Sequence, residues 1–342
     1  MKWNFKVYEE PGILFADRDV EADSAPIAQI EELMKPGIEQ ERVLLTVLTN
    51  LEQNEPPILC PQSDPTDETF EELGEIATKL LTESRFFEAA SVADAASRGA
   101  HGQDPELQLL AASIFEHIRF YDMALPLLVK VAESFTEELR QAAIQIRLAR
   151  ALQKSGRMSD VSERLETPLK HPDLPPVLRV EALLLKAVSL GGSDALSILD
   201  ELLDYAEEKL GDHRLVADAL EYHADLLSPQ EPKKAEQFYH AAGKMLVELK
   251  DPYFFSLNER FVVHFLKHKA YEEALHLSHE MFELLKQAGG PPIASVPYFV
   301  FASHAHGALG DQERKEFATK TAHDIHDIEA KRLEHLLELA LN

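Results

Sequence analysis

Arg119-Phe120-Tyr121-Asp122-Met123-Ala124 is the stretch that decides the fold. It recurs as Arg85-Phe86-Phe87-Glu88-Ala89 and as Ala270-Tyr271-Glu272-Glu273-Ala274, with weaker copies at Gly192-Ser193-Asp194-Ala195 and Lys233-Lys234-Ala235. The final alanine of each copy serves as an anchor. With Val161 filling the gap after Met158-Ser159-Asp160, the series Ala89, Ala124, Val161, Ala195, Ala235, Ala274 is spaced by 35, 37, 34, 40 and 39 residues. On either side of each anchor the apolar residues fall at steps of three and four. Leu107, Leu110, Ala111, Ile114 and Phe115 precede the turn of the second copy, and Ala124, Leu127, Leu128 and Val131 follow it. That is helical periodicity interrupted by a short break. Self-similarity at this period marks stacked helix pairs, in which each unit buries its apolar face against its neighbours. A small residue at the anchor lets two antiparallel helices approach closely, and the aromatic residue three positions earlier covers the loop.

The pattern resembles the tetratricopeptide repeat family, a helix-turn-helix of about 34 residues. Phe86 and Ala89, Tyr121 and Ala124, and Tyr271 and Ala274 match its aromatic and alanine; Gly156 and Gly310 match the glycine that ends a unit's first helix. Pro105, Pro172 and Pro252 lie near unit boundaries, where the family often has proline. The family's tryptophan and Leu-Gly in the first helix are mostly missing, and several units exceed 34 residues. The resemblance implies an all-α fold, an α-solenoid of about six or seven helix pairs. It also implies work done by holding other molecules along a concave groove.

The expected organisation is an N-terminal segment over residues 1–65, helical repeats over 66–325 and a C-terminal capping helix over 326–342. In the first part, the alternation of Trp3 to Tyr8, the pair Pro11-Gly12 and the apolar run 12–16 fit a small β-hairpin. Residues 26–35 and 39–53 read as two helices, the second striped by Val43, Leu44, Val47, Leu48 and Leu51. Four prolines within 54–67 mark the boundary. At the other end, residues 317–341 read as one long helical pattern.

Of 342 residues, 45% are hydrophobic and 27% charged, a folded balance, and no run approaches the apolar length of a membrane span. The net charge of −26 makes nucleic acid and anionic membranes poor partners, since binding them rests on Lys and Arg meeting phosphate. A lone cysteine, Cys60, fits a reducing compartment, and the expected location is cytoplasmic. No phosphate loop, nucleophile elbow or zinc-protease pattern is present, so no catalytic residue and no cofactor is assigned.

Two clusters remain. Nine of the 15 histidines follow residue 260. His264, His268 and His304 would converge if adjacent first helices align, which is what a metal-dependent enzyme would need. The simpler reading packs His264 inside its repeat, and no metal site is expected. The second cluster is Arg140, Arg147, Arg150 and Lys154, which fall within a narrow band of one helix. In the resemblance, Arg150 and Lys154 take positions facing the groove, and these four are the expected contacts for an acidic segment of a partner protein or peptide. The alternative is a solvated face supporting Glu137 and Glu138. The clamp for chaperone C-termini uses two groove asparagines, yet only Asn258 lies within the repeats. The leading expectation is therefore a non-enzymatic interaction scaffold or adaptor. A peptide-responsive regulatory receptor is second, and the histidine-based enzyme third.

Overall fold

The computed structural model describes residues 2–10, 13–21, 45–50, 58–60, 70–83, 85–98 and 103–341. The chain forms two compact units, Met1–Ser189 and Leu190–Asn342.

The first unit opens with four antiparallel strands, β1 (Lys2–Glu10), β2 (Ile13–Glu21), β3 (Leu45–Asn50) and β4 (Ile58–Cys60), in the order β2-β1-β3-β4. β1 and β2 pair from Lys2↔Glu21 to Glu10↔Ile13, as the hairpin pattern predicts. β3 corrects the helix expected over 39–53: it pairs with β1 from Trp3↔Asn50 to Tyr8↔Leu45. A short apolar run does not distinguish a helix stripe from a buried strand. The β-branched Thr46, Val47 and Thr49 suit the pairing that the free edge of β1 offers. The helix expected over 26–35 lies outside the described residues, as does the boundary near residue 65.

Among the described residues seven α-helices follow in this unit: α1 (Phe70–Thr82), α2 (Phe86–Arg98), α3 (Pro105–His117), α4 (Tyr121–Ser134), α5 (Glu138–Lys154), α6 (Val161–Lys170) and α7 (Pro176–Leu190). Each of α1 to α6 packs on the next in chain order. One apolar core runs through them from Ala77 to Leu185. The second unit holds α8 (Gly192–Lys209), α9 (Arg214–Leu227), α10 (Pro232–Glu248), α11 (Phe254–Lys267), α12 (Tyr271–Gln287), α13 (Val296–Ala308) and α14 (Gln312–Leu341), again packed in succession.

The anchors sit where the spacing predicts. Ala89, Ala124, Ala195, Ala235 and Ala274 are each the fourth residue of their helix. With Val161, all are buried to 1% exposure or less. Each of the five alanines also closes the first hydrogen bond of its helix, donating its N–H to the carbonyl four residues back. In the last pair the small residue moves to the facing helix. The equivalent of the anchor is Lys315, and a Cβ on Gly307 would stand 3.1 Å from its Cδ.

Four of the turns before second helices share one form. Phe120, Arg157, Ala270 and Asp311 each donate an N–H to the carbonyl five residues back. The residue before each is left-handed: Arg119 (φ 65), Gly156 (φ 80), Lys269 (φ 60) and Gly310 (φ 80). This is a Schellman ending, which glycine makes without steric cost.

α14 corrects the expectation of one long helix, because His326 has φ −160 and ψ 96 and divides it into residues 312–325 and 327–341. The imidazole Nδ1 of His326 accepts from the N–H of Glu329, capping the second segment.

Two substitutions of opposite sign test this geometry. Ala274→Leu should overpack α11 against α12 and cost about 1–3 kcal/mol. Lys269→Gly should raise stability by about 1 kcal/mol by relieving a left-handed residue that bears a Cβ. Urea melts read both, and a neutral Ala274→Leu would mean that the anchor is not a close approach.

Candidate functional site

The basic row on α5 is one helix face, and the neighbouring helices meet it with carboxylates. Arg140 reaches Glu106 on α3 with a two-pronged contact (2.5 and 2.7 Å) and lies 3.6 Å over the ring of Phe135. Arg147 donates to Glu116 and, at 3.0 Å, to the Ser113 hydroxyl, both on α3. Arg150 pairs with Glu181 on α7 at 3.0 Å and stands 3.9 Å from Glu116. The partners are thus carboxylates of adjacent first helices, not the Glu137 and Glu138 of the alternative reading. Glu116 and Glu181 are largely buried, and burial pushes the Glu181 carboxyl up while Arg150 pulls it down. Lys154, one turn beyond Arg150, is exposed.

The second unit holds a cavity of about 790 Å³. Its polar wall is one face of α11, where Tyr253, Ser256, Arg260, Val263 and Lys267 fall at alternating steps of three and four. Its apolar wall is the end of α14, through Leu333, Leu336, Leu337 and Ala340, with Phe301 from α13. Arg260 is fixed from both sides: Nε lies 3.0 Å from Glu221 Oε1, and Nη1 donates to Asp225 at 2.9 Å. Tyr253 donates to Glu221 at 3.1 Å, and Tyr239 donates to Asp225. Burial raises the Glu221 carboxyl and pushes the Tyr253 hydroxyl up to about 12.

At the far end of the same wall, the Ser228 hydroxyl lies 2.8 Å from His264 Nδ1 and 3.1 Å from His268 Nε2. Burial, helped by His268, lowers His264 to about 4. His304 stands apart on α13, lowered by burial and by Lys315. Among the described residues no group of three or more His, Cys, Asp or Glu side chains is placed to hold a metal ion. Asn258 turns inward and donates to the Phe254 carbonyl, so it does not serve the groove.

Residues 327–341 face α11 through a charged contact as well as through leucines. Glu259 is pushed up to about 7 by burial and by Glu329, with Arg332 opposing. Across the break, His323 lies 2.8 Å from Asp327 and 3.2 Å from Glu334, which tie it to the second segment and raise its pKa. Sequence reasoning missed Ser228, Tyr239, Tyr253, Glu259 and Arg260. The face of α11 was the available signal, since it carries tyrosine, serine and charge at helical spacing.

No family model matches the sequence, and no curated protein matches it. Solved structures do. A tetratricopeptide repeat protein from Parabacteroides merdae superposes with a TM-score of 0.54 at 16% identity, covering 80% of this chain and 99% of its own. The apo form of RapI gives 0.53 at 13% identity, covering 77% and 98%. A signal-transduction ATPase with numerous domains and a tetratricopeptide repeat sensor, from Pyrococcus horikoshii, gives 0.55 at 16%, covering 78% of this chain and 44% of its own. At these identities the likeness is one of fold. The fold is tetratricopeptide-repeat-like, as the anchors implied, and among the described residues no helix is long and apolar enough to cross a membrane.

The buried ends of the arginine pairs carry a stability consequence. Arg147→Ala leaves Glu116 beside Glu181 with one cation fewer, and a cost of about 1–3 kcal/mol is expected in denaturant melts. A loss below a few tenths would show that the row is solvated.

A second expectation concerns pH. A folded pKa above the ordinary one favours the folded form at low pH. Glu259 therefore helps hold residues 327–341 in place below about 4.5 and loses that effect as pH rises through about 7. His323 acts in the same direction, with its effect full below 6.5 and lost above its raised value. The compensating Asp327 and Glu329 are held below their ordinary values and titrate under this window. Hydrogen exchange in 327–341, corrected for intrinsic rates, should be slower at pH 5 than at pH 8. Glu259→Gln should flatten the lower part of the profile and His323→Gln the upper part.

Proposed function

We propose that this chain is a non-enzymatic interaction protein, and that the cavity of the second unit holds a peptide or a segment of another protein. The observation that carries the reading is the two-sided wall. A row of fixed hydrogen-bonding groups on α11 faces a row of leucines on α14, across a space of the size that encloses ligands. Such a space suits a segment that offers polar groups to one side and apolar side chains to the other. Arg260 and the tyrosines are already oriented by Glu221 and Asp225, so they would lose little freedom on binding. Ser228 between two imidazoles is the arrangement nearest to a reactive one. An imidazole that titrates near 4 is too weak a base to draw a proton from a serine at neutral pH, which favours a binding role.

The break at His326 favours, as a second reading, a regulatory receptor in which the wall formed by residues 327–341 shifts when a peptide binds. We assign the row Arg140, Arg147, Arg150 and Lys154 a secondary part, as the place in the first unit where an acidic segment of a partner would be tolerated. Lys154 would lead there, because the three arginines already face carboxylates. A reducing, cytoplasmic setting is proposed from the lone Cys60.

The test is photo-crosslinking in the organism of origin. A benzophenone residue replaces Ser256 in the cavity wall or Val247, which is 57% exposed on α10 and lies outside the cavity. A discrete protein or peptide adduct is expected from position 256 and not from 247. Equal labelling at both sites, or none at 256, would remove the cavity as the binding site.

A further inference from the structure

Residues 327–341 differ from the helices before them in what they touch. The break at His326 separates them from the rest of α14. Beyond it, the chain lies against the first helices of its own unit: Leu333, Leu336, Leu337 and Ala340 share the cavity with α9, α11 and α13, and Glu329 and Arg332 face Glu259. The buried side of the segment is narrow. Ala330 is fully buried and Leu337 is 5% exposed, while Ile328 and Leu339, on the other side, are 75% and 63% exposed. The segment is therefore an amphipathic helix with a short apolar seam, flanked by a carboxylate and a guanidinium.

Its attachment is weak by construction. The seam covers only part of the groove, which stays open to solvent beside it. Ionic groups add to the leucines: His323 pairs with Asp327 and Glu334, partly exposed, and Glu259 faces the Glu329–Arg332 pair. Exposed pairs of this kind contribute little individually. The single non-helical residue is also a place where the segment can swing without unwinding either helix.

We propose that residues 327–341 are a resident, displaceable ligand of this groove, and that the partner docks an amphipathic helix of the same pattern in their place. The pattern is a small residue, a leucine three positions on, a second leucine four positions after that and a small residue three further, as in Ala330, Leu333, Leu337 and Ala340. An acidic residue followed three positions later by a basic one, like Glu329 and Arg332, flanks the seam and faces Glu259. The proposal rests on the reading of the cavity as the binding site and deepens it: the partner's own leucines take over the apolar wall that residues 327–341 supply, and the α11 face is the wall that stays. A helix-in-groove partner is recognised through such spaced anchors. The groove's affinity for an outside helix is reduced by the fraction of time that its own segment occupies it.

The probe is a fluorescein-labelled synthetic peptide of residues 327–341, titrated by anisotropy into two full-length proteins. One is the wild type; the other carries Leu333→Asp and Leu337→Asp, which expel the resident segment and leave α9, α11 and α13 unchanged. The peptide should bind the variant about tenfold more tightly, or better, than the wild type. A control peptide bearing the same two aspartates should not bind. In the variant, hydrogen exchange should rise across 327–341 and stay unchanged across α9 to α13. If exchange rises in those helices too, Leu337→Ser replaces the double change with the same expectation.

No binding to a variant whose α9 to α13 stay protected would overturn the proposal, as would equal binding to both proteins. Dimers of the wild type that exchange this segment at micromolar concentration would assign the groove to a second copy of the chain, and the partner helix would be withdrawn. A surviving crosslink from position 256 alongside a failed peptide titration would sink only this inference. Loss of both would sink the cavity reading itself.

Discussion

The closest approach of two helices sets most of this structure. Where the second helix of a pair reaches its anchor, its partner helix leaves room for a small side chain, one methyl group in five pairs and the valine of Val161 in the sixth. That single limit explains why five of the six anchors are alanine and why each is shut off from solvent. It also explains the last pair, where the lysine stem at the equivalent position is accommodated by a glycine on the opposite helix. The turn that delivers the second helix to this contact must be tight. Hence the left-handed residue before it and the hydrogen bond that bridges back five positions. Backbone conformation and side-chain volume are thus coupled at the same place in the pairs that carry this turn, whereas Ala195 and Ala235 keep the small anchor after a different turn.

The same coupling made the repeats legible. Volume limits act on residue identity, so the alanines, their aromatic neighbours and two of the four left-handed glycine positions are written in the sequence. Arg119 and Lys269 hide the other two, because nothing in an arginine or a lysine announces a positive φ. β3 was misread because its evidence is pairing, not composition. Leu45 to Asn50 becomes a strand by meeting β1, and the apolar spacing around it also fits a helix face. The break at His326 falls at the boundary expected between repeats and capping helix, yet the pattern over 317–341 reads as continuous for a related reason. The break depends on an imidazole capping the helix that follows, and the apolar periodicity simply continues across it.

The candidate sites divide along similar lines. The basic row was legible because its spacing is local to one helix. Its ion pairs were not, because Glu106, Glu116 and Glu181 lie on other helices. Those pairings matter for what the row offers: each arginine arrives with a carboxylate attached, so the surface is far less positive than the residue list implies. The cavity of the second unit is the opposite case. Its polar side comes mainly from α11, with Asp225, Ser228 and Tyr239 added from α9 and α10, and the α11 part could have been read. Its apolar side comes from a segment some seventy residues later that turns back at His326, and neither half is a site alone.

The ion pairs on α3, α5 and α7 have one more consequence. Helix-pair repeats are often treated as interchangeable modules, since each needs only a neighbour with the same packing surface. Here Arg140 finds Glu106 and Arg147 finds Ser113 at the same offset of 34 residues, and Arg150 looks the other way, to Glu181. The helix rich in arginine is held between two that supply acid. Copying it beside itself would set cation against cation, and removing it would set Glu116 against Glu181. Charge thereby gives these three units a fixed order that their shape alone does not impose.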